Sequence, residues 1–247
     1  MRRKRGKGSY ILPNLLTSLS LLCGFYSILS TFERQFERGS LAILVACVFD
    51  MLDGKVARAT GSDSKFGLEY DSLSDAISFG IAPSVLSYFF VLQGYGRLGF
   101  LAAFLFLACG VLRLARFNIQ AETVQKRQFL GLPIPAAALM VASSLLFYDW
   151  IGRGREFRTL FIPIAIFVLS FLMVSEVRYP SLKEVKFASR RPFHTSVLAI
   201  MALVLALVEP RLVLFSLALG YVLSGPILMV FKRKKEVERV IPSREGI

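Results

Sequence analysis

The sequence predicts an all-α fold: a polytopic transmembrane helical bundle of about eight spans, with both termini cytoplasmic. Three observations carry this reading. Of 247 residues, 55% are hydrophobic and only 19% charged, against roughly 45–50% and about 25% in an ordinary soluble domain. The apolar residues arrive in continuous blocks rather than in alternation, which favours spanning helices over barrel strands. The 30 Lys+Arg against 17 Asp+Glu leave a net charge of +13, and most of it falls between the blocks. The same composition excludes a disordered chain, a disulfide-rich secreted module and a coiled coil.

A bilayer core requires about 20 mainly apolar residues per helix. The first block, Ile11–Phe32, follows the basic start MRRKRGKGSY. It is too long for a signal-peptide core and lacks a small-x-small cleavage site, so it reads as a retained first span. The second, Ser40–Ala59, is apolar but carries two aspartates towards its end. A polar link, Gly61–Ser74, leads to the third, Asp75–Leu92, and then to the fourth, Gly99–Phe117. After the Asn118–Gly131 loop come Leu132–Tyr148 and Leu160–Ser175. The last two, Thr195–Val208 and Leu212–Phe231, are separated by Glu209-Pro210-Arg211, a tight hairpin. With the N-terminus inside, 23 of the 30 basic residues lie in cytoplasmic segments and 7 outside, as the positive-inside rule requires. An even number of spans agrees.

The chain therefore reads as one membrane-embedded domain, 1–247. Residues 10–135 are expected to form its functional core, 136–231 further transmembrane helices and 232–247 a basic tail. Cys23, Cys47 and Cys109 each lie within a span, as small packing residues rather than a disulfide or metal framework. Lys183, Lys186, Arg190 and Arg191, with Lys232 to Lys235, read as anchors for anionic lipid headgroups. Because that charge is spread along the membrane face, no nucleic-acid partner is expected. The single histidine, His194, lies in a basic loop without a second His or Cys nearby and reads as a loop residue. Gly80, Pro83, Pro133 and Pro135 are expected to shape helix ends and kinks.

The second span, LAILVACVFDMLDGKVARAT, needs a separate explanation. Asp50 and Asp53 are i,i+3 and share a helix face with Gly54 and Ala57. Asp71 and Asp75 are i,i+4, again on one face. Two adjacent antiparallel helices would aim four carboxylates at one point near the cytoplasmic interface. A charge deep in a span costs about 2.5–3.5 kcal/mol, so protonation or bound cations must relieve the repulsion. An all-oxygen ligand set suits a hard cation, Mg²⁺ or Mn²⁺, and two such ions can clamp a phosphoryl group. Arg58 adds a fixed positive charge suited to phosphate. The alternative is that Asp71 or Asp75 caps the start of the third span. It does not account for Asp50 and Asp53, near a helix C-terminus where the dipole disfavours them.

Asp50-Met-Leu-Asp53-Gly54-Lys-Val-Ala57-Arg58, followed by Gly67-Leu-Glu-Tyr-Asp71-Ser-Leu-Ser-Asp75, resembles the signature DxxDGxxAR…GxxxDxxxD of the CDP-alcohol phosphatidyltransferase family, with all eight fixed positions met. The resemblance runs from about Pro13 to Pro135. Within the family the chain is most similar to the integral-membrane phosphatidylserine synthases. Ser78-Phe79-Gly80-Ile-Ala82-Pro83, Arg113-Leu-Ala-Arg116-Phe117-Asn118 and Gly131-Leu-Pro133-Ile-Pro135 carry that likeness.

The resemblance implies transfer of a phosphatidyl group from CDP-diacylglycerol to the hydroxyl of L-serine, with CMP as the other product. It implies Asp50, Asp53, Asp71 and Asp75 as ligands of two Mg²⁺ or Mn²⁺ ions, with Asp75 as general base. It implies Asn14, Gly54, Ala57, Arg58, Ser64 and Gly67 as contacts of CDP-diacylglycerol. A serine carboxylate calls for a cation, and Arg113 and Arg116, i,i+3 at the end of the fourth span, suit it. As terminal arginines they also read as positive-inside anchors. Asn118 and Gln128 are further candidates. Relatives in the family are often homodimers, and Gly- and Ala-containing spans permit close helix packing.

Three rival readings remain at this level. The same chemistry could serve glycerol 3-phosphate or an inositol phosphate, or an archaeal ether-lipid donor. A cation transporter would instead place carboxylates near the midplane, on broken helices in matched halves. The expected setting is the cytoplasmic membrane, with the active site open to the cytoplasm for serine and sideways to the bilayer for the lipid.

Overall fold

The computed structural model describes residues 11–61, 64–123, 131–151, 155–177, 179 and 208–240. Among these, every regular element is helical: α1 (Ile11–Phe32), α2 (Phe36–Thr60), α3 (Lys65–Asp75), α4 (Ala82–Phe90), α5 (Gly96–Thr123), α6 (Ile134–Ile151), α7 (Arg155–Val174) and α8 (Pro210–Val240). A π-helical turn, Ala76–Ile81, joins α3 to α4 without a break, and a short 3₁₀ turn, Leu92–Tyr95, leads into α5.

Helix α1 is apolar outside and polar inside. Leu15, Leu22, Phe25 and Leu29 are exposed, whereas Thr17, Ser20, Gly24, Ser27 and Thr31 are buried. That arrangement suits a helix surrounded by lipid, because small residues let neighbouring backbones approach and leave the bulky ones for the acyl chains. The stripe is used on two sides. Ser20 Oγ donates to the Ala46 carbonyl of α2 at 3.2 Å. From the opposite side Ser74 Oγ donates to the Thr17 carbonyl at 3.2 Å, and Ser78 Oγ to the Ser20 carbonyl at 3.0 Å. A Cβ on Gly24 would lie 2.6 Å from Ser78 Cα. Gly24→Val is therefore expected to push the α3–α4 helix off α1. Overpacking of this kind costs about 1–3 kcal/mol, and a backbone obstacle puts it at the upper end. Thermal unfolding in detergent should show the loss, together with a fall in activity.

Among the described residues, four helices are long and apolar enough to cross a membrane: Ile11–Phe32, Lys65–Phe90, Leu92–Ile119 and Pro210–Met229. Ile134–Tyr148 and Phe161–Val174 are shorter apolar helices. The segment Thr195–Val208, expected as the seventh span, lies almost entirely outside the described residues. Helix α2 has the length, but Asp50, Asp53 and Lys55 put more charge into it than a simple span carries.

The expected start of the third span is corrected. Its helix begins at Lys65 rather than Asp75, so most of the expected Gly61–Ser74 link is helical. Ser64, in extended conformation, caps it by accepting the Gly67 amide at 3.0 Å. Gly61, at φ +62°, ends α2, a backbone conformation that favours glycine. Asp71 and Asp75 are thus interior helical residues, and the N-cap explanation for them falls. Likewise Asn118, expected in a loop, lies within α5.

The π turn widens the helix directly after Asp75, with the Ala82 amide bonding to the Ile77 carbonyl five residues back. Such turns absorb an extra residue. Here the turn carries Ser78 to α1 and is followed by Pro83, which has no amide to place. The apolar core lies beyond it, where Phe79, Leu86, Phe106, Ile134 and Ile166 are fully buried. Gly131, at φ +80°, closes the turn before α6. Its amide bonds to Val177 O at 2.9 Å, and that of Leu132 to Leu172 O at 2.9 Å.

Candidate active site

The four aspartates come from two helices and converge. Carboxylate oxygens of Asp50, Asp53 and Asp71 lie within 4.8 Å of one another, and the carboxyl of Asp75 is within hydrogen-bond reach of Asp50. Asp53 and Asp75 are buried, while Asp50 and Asp71 are half-buried at the mouth. The local reason is helical periodicity, which puts each pair on one face. The non-local reason is α1, which holds α2 on one side and α3 on the other.

These residues fit a hard cation. Oxygens on opposite sides of one Mg²⁺ are about 4 Å apart, close to the observed spread. Carboxylates gathered in an apolar bundle also need positive charge to stay ionised. Asp50, Asp53 and Asp71, with Asp75 beside them, are the groups that would hold it.

One further side chain supports the cluster and was not singled out from sequence: Thr17 Oγ1 lies 2.9 Å from Asp53 Oδ2, to which it can donate. It is i+3 from Asn14 and therefore on the same face of α1, the signal that would have revealed it. Nearby, Ser18 Oγ and Tyr70 OH are 2.8 Å apart, tying α1 to α3 one turn from the aspartates.

The residues expected to contact the nucleotide sit on the same rim. A Cβ on Gly67 would meet Ser64 Oγ at 3.1 Å and Asn14 Oδ1 at 3.7 Å, so these three meet at one point. Across the mouth, the Arg58 guanidinium folds back over Gly54, its Nη1 3.2 Å from where a Cβ would stand. Arg58 is also within electrostatic reach of Asp53. Ala57 lies half-buried on the same turn, and its carbonyl accepts the Gly61 amide that ends α2. Carboxylates, a guanidinium over a bare backbone and a set of small polar groups together suit a pyrophosphate.

The three residues expected at the acceptor do not behave alike. Arg113 is 8% exposed, and its Nε has no hydrogen-bond partner. It is within electrostatic reach of Asp75 and of Tyr221 from α8. A buried arginine with an orphan donor is not a snorkelling anchor. Arg116, one turn on, is only half-buried. Asn118 turns to α3, donating from Nδ2 to Ser72 Oγ at 3.0 Å and more weakly to Glu69 Oε2 at 3.5 Å. Gln128 and His194 lie outside the described residues.

Tyr221 was not legible beforehand. Its ring packs 5.7 Å from that of Tyr179, whose hydroxyl donates to the Val222 carbonyl at 3.2 Å. Burial, and then the Tyr221 phenol, push the Tyr179 hydroxyl up to about 12, so it stays a neutral donor at any ordinary pH. Cys47, read as a packing residue, also joins Pro135 to the site, with Sγ 3.7 Å from the Pro135 carbonyl.

The profile of the CDP-alcohol phosphatidyltransferase family matches residues 10–171. The CDP-diacylglycerol–serine O-phosphatidyltransferase of Helicobacter pylori is 39% identical over 226 residues, covering 90% of this chain and 92% of that protein. The protein of the same name from Mycobacterium leprae is 33% identical over 233 residues, 91% of this chain and 76% of that one. The archaetidylserine synthase of Methanothermobacter thermautotrophicus is 39% identical over 182 residues, 73% of this chain and 74% of that one.

Proposed function

This chain belongs to the CDP-alcohol phosphatidyltransferase family, and from that premise we propose that it transfers a phosphatidyl group from CDP-diacylglycerol to the hydroxyl of L-serine, giving phosphatidylserine and CMP. The observation that carries the acceptor is Arg113. It is a buried guanidinium with a free donor beside the aspartate assigned as base, and a serine carboxylate would complete it.

In this reading Asp75 accepts the serine hydroxyl proton. The serine oxygen forms a bond to the lipid phosphorus, and the bond from that phosphorus to the CMP oxygen breaks. Arg58, over the bare Gly54, faces the phosphates and answers the charge that develops on departing CMP. Asn14, Ser64 and Gly67 hold the nucleotide at the rim. Two Mg²⁺ or Mn²⁺ ions, held by Asp50, Asp53, Asp71 and Asp75, would supply charge neutralisation for attacking and leaving oxygens. Arg113 orients the amino acid by its carboxylate, and Arg116 and Asn118 flank it.

The site is assigned to the cytoplasmic face of the inner membrane by the positive-inside count, within eight spans whose termini both lie inside. That placement lets serine and CMP exchange with water while the acyl chains stay in the bilayer. A homodimer is part of the same reading.

The deciding assay supplies purified protein with labelled CDP-diacylglycerol, Mg²⁺ or Mn²⁺ and a panel of alcohols. Metal-dependent CMP release with serine is expected. Release with glycerol 3-phosphate or an inositol phosphate but not serine would sink the acceptor assignment, and release with none would sink the enzyme reading. Serine appears in the names of both the Helicobacter pylori and the Methanothermobacter thermautotrophicus relatives, the latter an archaetidylserine synthase, so an ether-linked CDP-lipid belongs in the panel as a donor arm. Arg113→Gln should raise the KM for serine by about 10²-fold, since breaking one side of a buried charge pair costs about 2–5 kcal/mol. The KM for the lipid donor should hardly change.

A further inference from the structure

A polar cavity lies at the end of α2 away from the aspartates. Its volume is about 330 Å³, and it opens where the α1–α2 turn meets α4 and α6. Phe36, at its edge, is about 20 Å along α2 from Asp50, so this cavity is separate from the aspartate site. We propose that it holds the phosphate headgroup of a bound phospholipid, on the membrane face away from the aspartates.

The polar wall is built to meet an anion. Ser40, which lines the cavity, is fully buried and its Oγ has no hydrogen-bond partner. A buried hydroxyl without a partner is costly and marks a missing ligand atom. The N-terminus of the 25-residue α2 opens on the same space, and its N-cap Gln35 makes no side-chain capping bond. The first-turn amides therefore retain their donors and the positive end of the dipole. Gln35 instead holds Arg38, whose Nη1 donates to Gln35 Oε1 at 2.6 Å. Arg34 is fixed too, its guanidinium 5.4 Å over the Phe89 ring and its Nη1 bonded to the Phe89 carbonyl at 3.2 Å. The carboxylate on this wall, Glu37, is paired with Arg211 of α8 at 2.5 Å, leaving Arg34 and Arg38 in excess.

The other wall explains why the anion is a lipid's. Phe90, Leu145 and Leu146 line it, and apolar side chains offer a free phosphate no donor on that side. A phosphodiester with an acyl chain satisfies both walls. Ser40 Oγ, the α2 amides and Arg38 donate to the phosphate oxygens, while the chain lies against the apolar side.

The test uses the full-length protein in detergent, stripped of lipid and given phosphatidylglycerol, with retained lipid counted by native mass spectrometry. Wild type should hold one phosphatidylglycerol in this cavity, and millimolar inorganic phosphate should not displace it. The double variant Arg38→Gln, Ser40→Val should lower retention by at least about tenfold, from the loss of a charge-assisted and a neutral hydrogen bond. Leu146→Trp, which fills the apolar half, should do the same. Arg97→Gln removes an exposed charge at the start of α5 and should leave retention unchanged. CMP release by each variant reports that the fold is intact. Wild-type retention in the double variant overturns the proposal, as does equal loss in Arg97→Gln or displacement by inorganic phosphate.

Discussion

Asp75→Asn reduces CMP release by about 10²–10⁴-fold, the usual contribution of a positioned general base, while CDP-diacylglycerol still binds. The position supports both halves of that expectation. Asp75 is buried, against the half-buried Asp50 and within electrostatic reach of Arg113. The residues proposed to contact the nucleotide, by contrast, lie at the rim: Asn14, Ser64 and Gly67 together, and Arg58 over Gly54. Among the described carboxylates, Asp75 is the one within electrostatic reach of Arg113, which is why the proposal gives it the proton of an acceptor held there. Asparagine keeps the shape and a hydrogen bond to Asp50 but cannot take a proton. The check is single-turnover CMP release alongside equilibrium binding of labelled donor. A variant that retains more than a tenth of wild-type turnover would remove Asp75 from the role of base. Loss of donor binding would move it into the binding site instead.

Chelation of divalent cations is expected to stop the reaction altogether, with recovery on adding Mg²⁺ or Mn²⁺. A bound divalent ion contributes several kcal/mol to a phosphoryl transition state, and the oxygens of Asp50, Asp53 and Asp71 offer no softer ligand. Asp53→Asn should then raise the metal concentration needed for half-maximal rate by at least about tenfold, the value of one lost charge-assisted ligand. Thr17→Val should produce a smaller shift in the same direction, because it removes the hydrogen bond that orients Asp53. Activity that survives exhaustive EDTA treatment would show that the cluster works without metal. Equal metal curves for wild type and Asp53→Asn would remove Asp53 from the ligand set.

Much of the site could be read from the chain because its parts are local. Asp50 with Asp53, and Asp71 with Asp75, share faces by helical spacing alone, and Gly54 with Arg58 lies within the same turns. The boundaries were less legible. Lys65-Phe-Gly-Leu-Glu-Tyr is polar enough to read as a link, yet it is helical because Ser64 caps it and α1 supplies a partner for Tyr70. Asn118 looked like a loop residue and is held in α5 by bonds to Ser72 and Glu69.

The sequence by itself determined that this is a helical membrane protein and which carboxylates face the same way, since hydropathy and the 3.6-residue period need no knowledge of neighbours. Which distant groups join those carboxylates was decided only by the tertiary structure. Thr17 reaches Asp53, and Arg113 comes under Asp75 with Tyr221 beyond it, because of how the helices cross. That crossing depends on the bare backbone at Gly24 and on one extra residue in the π turn after Asp75. Helix crossing is a property of two surfaces at once, and no single stretch of sequence records it.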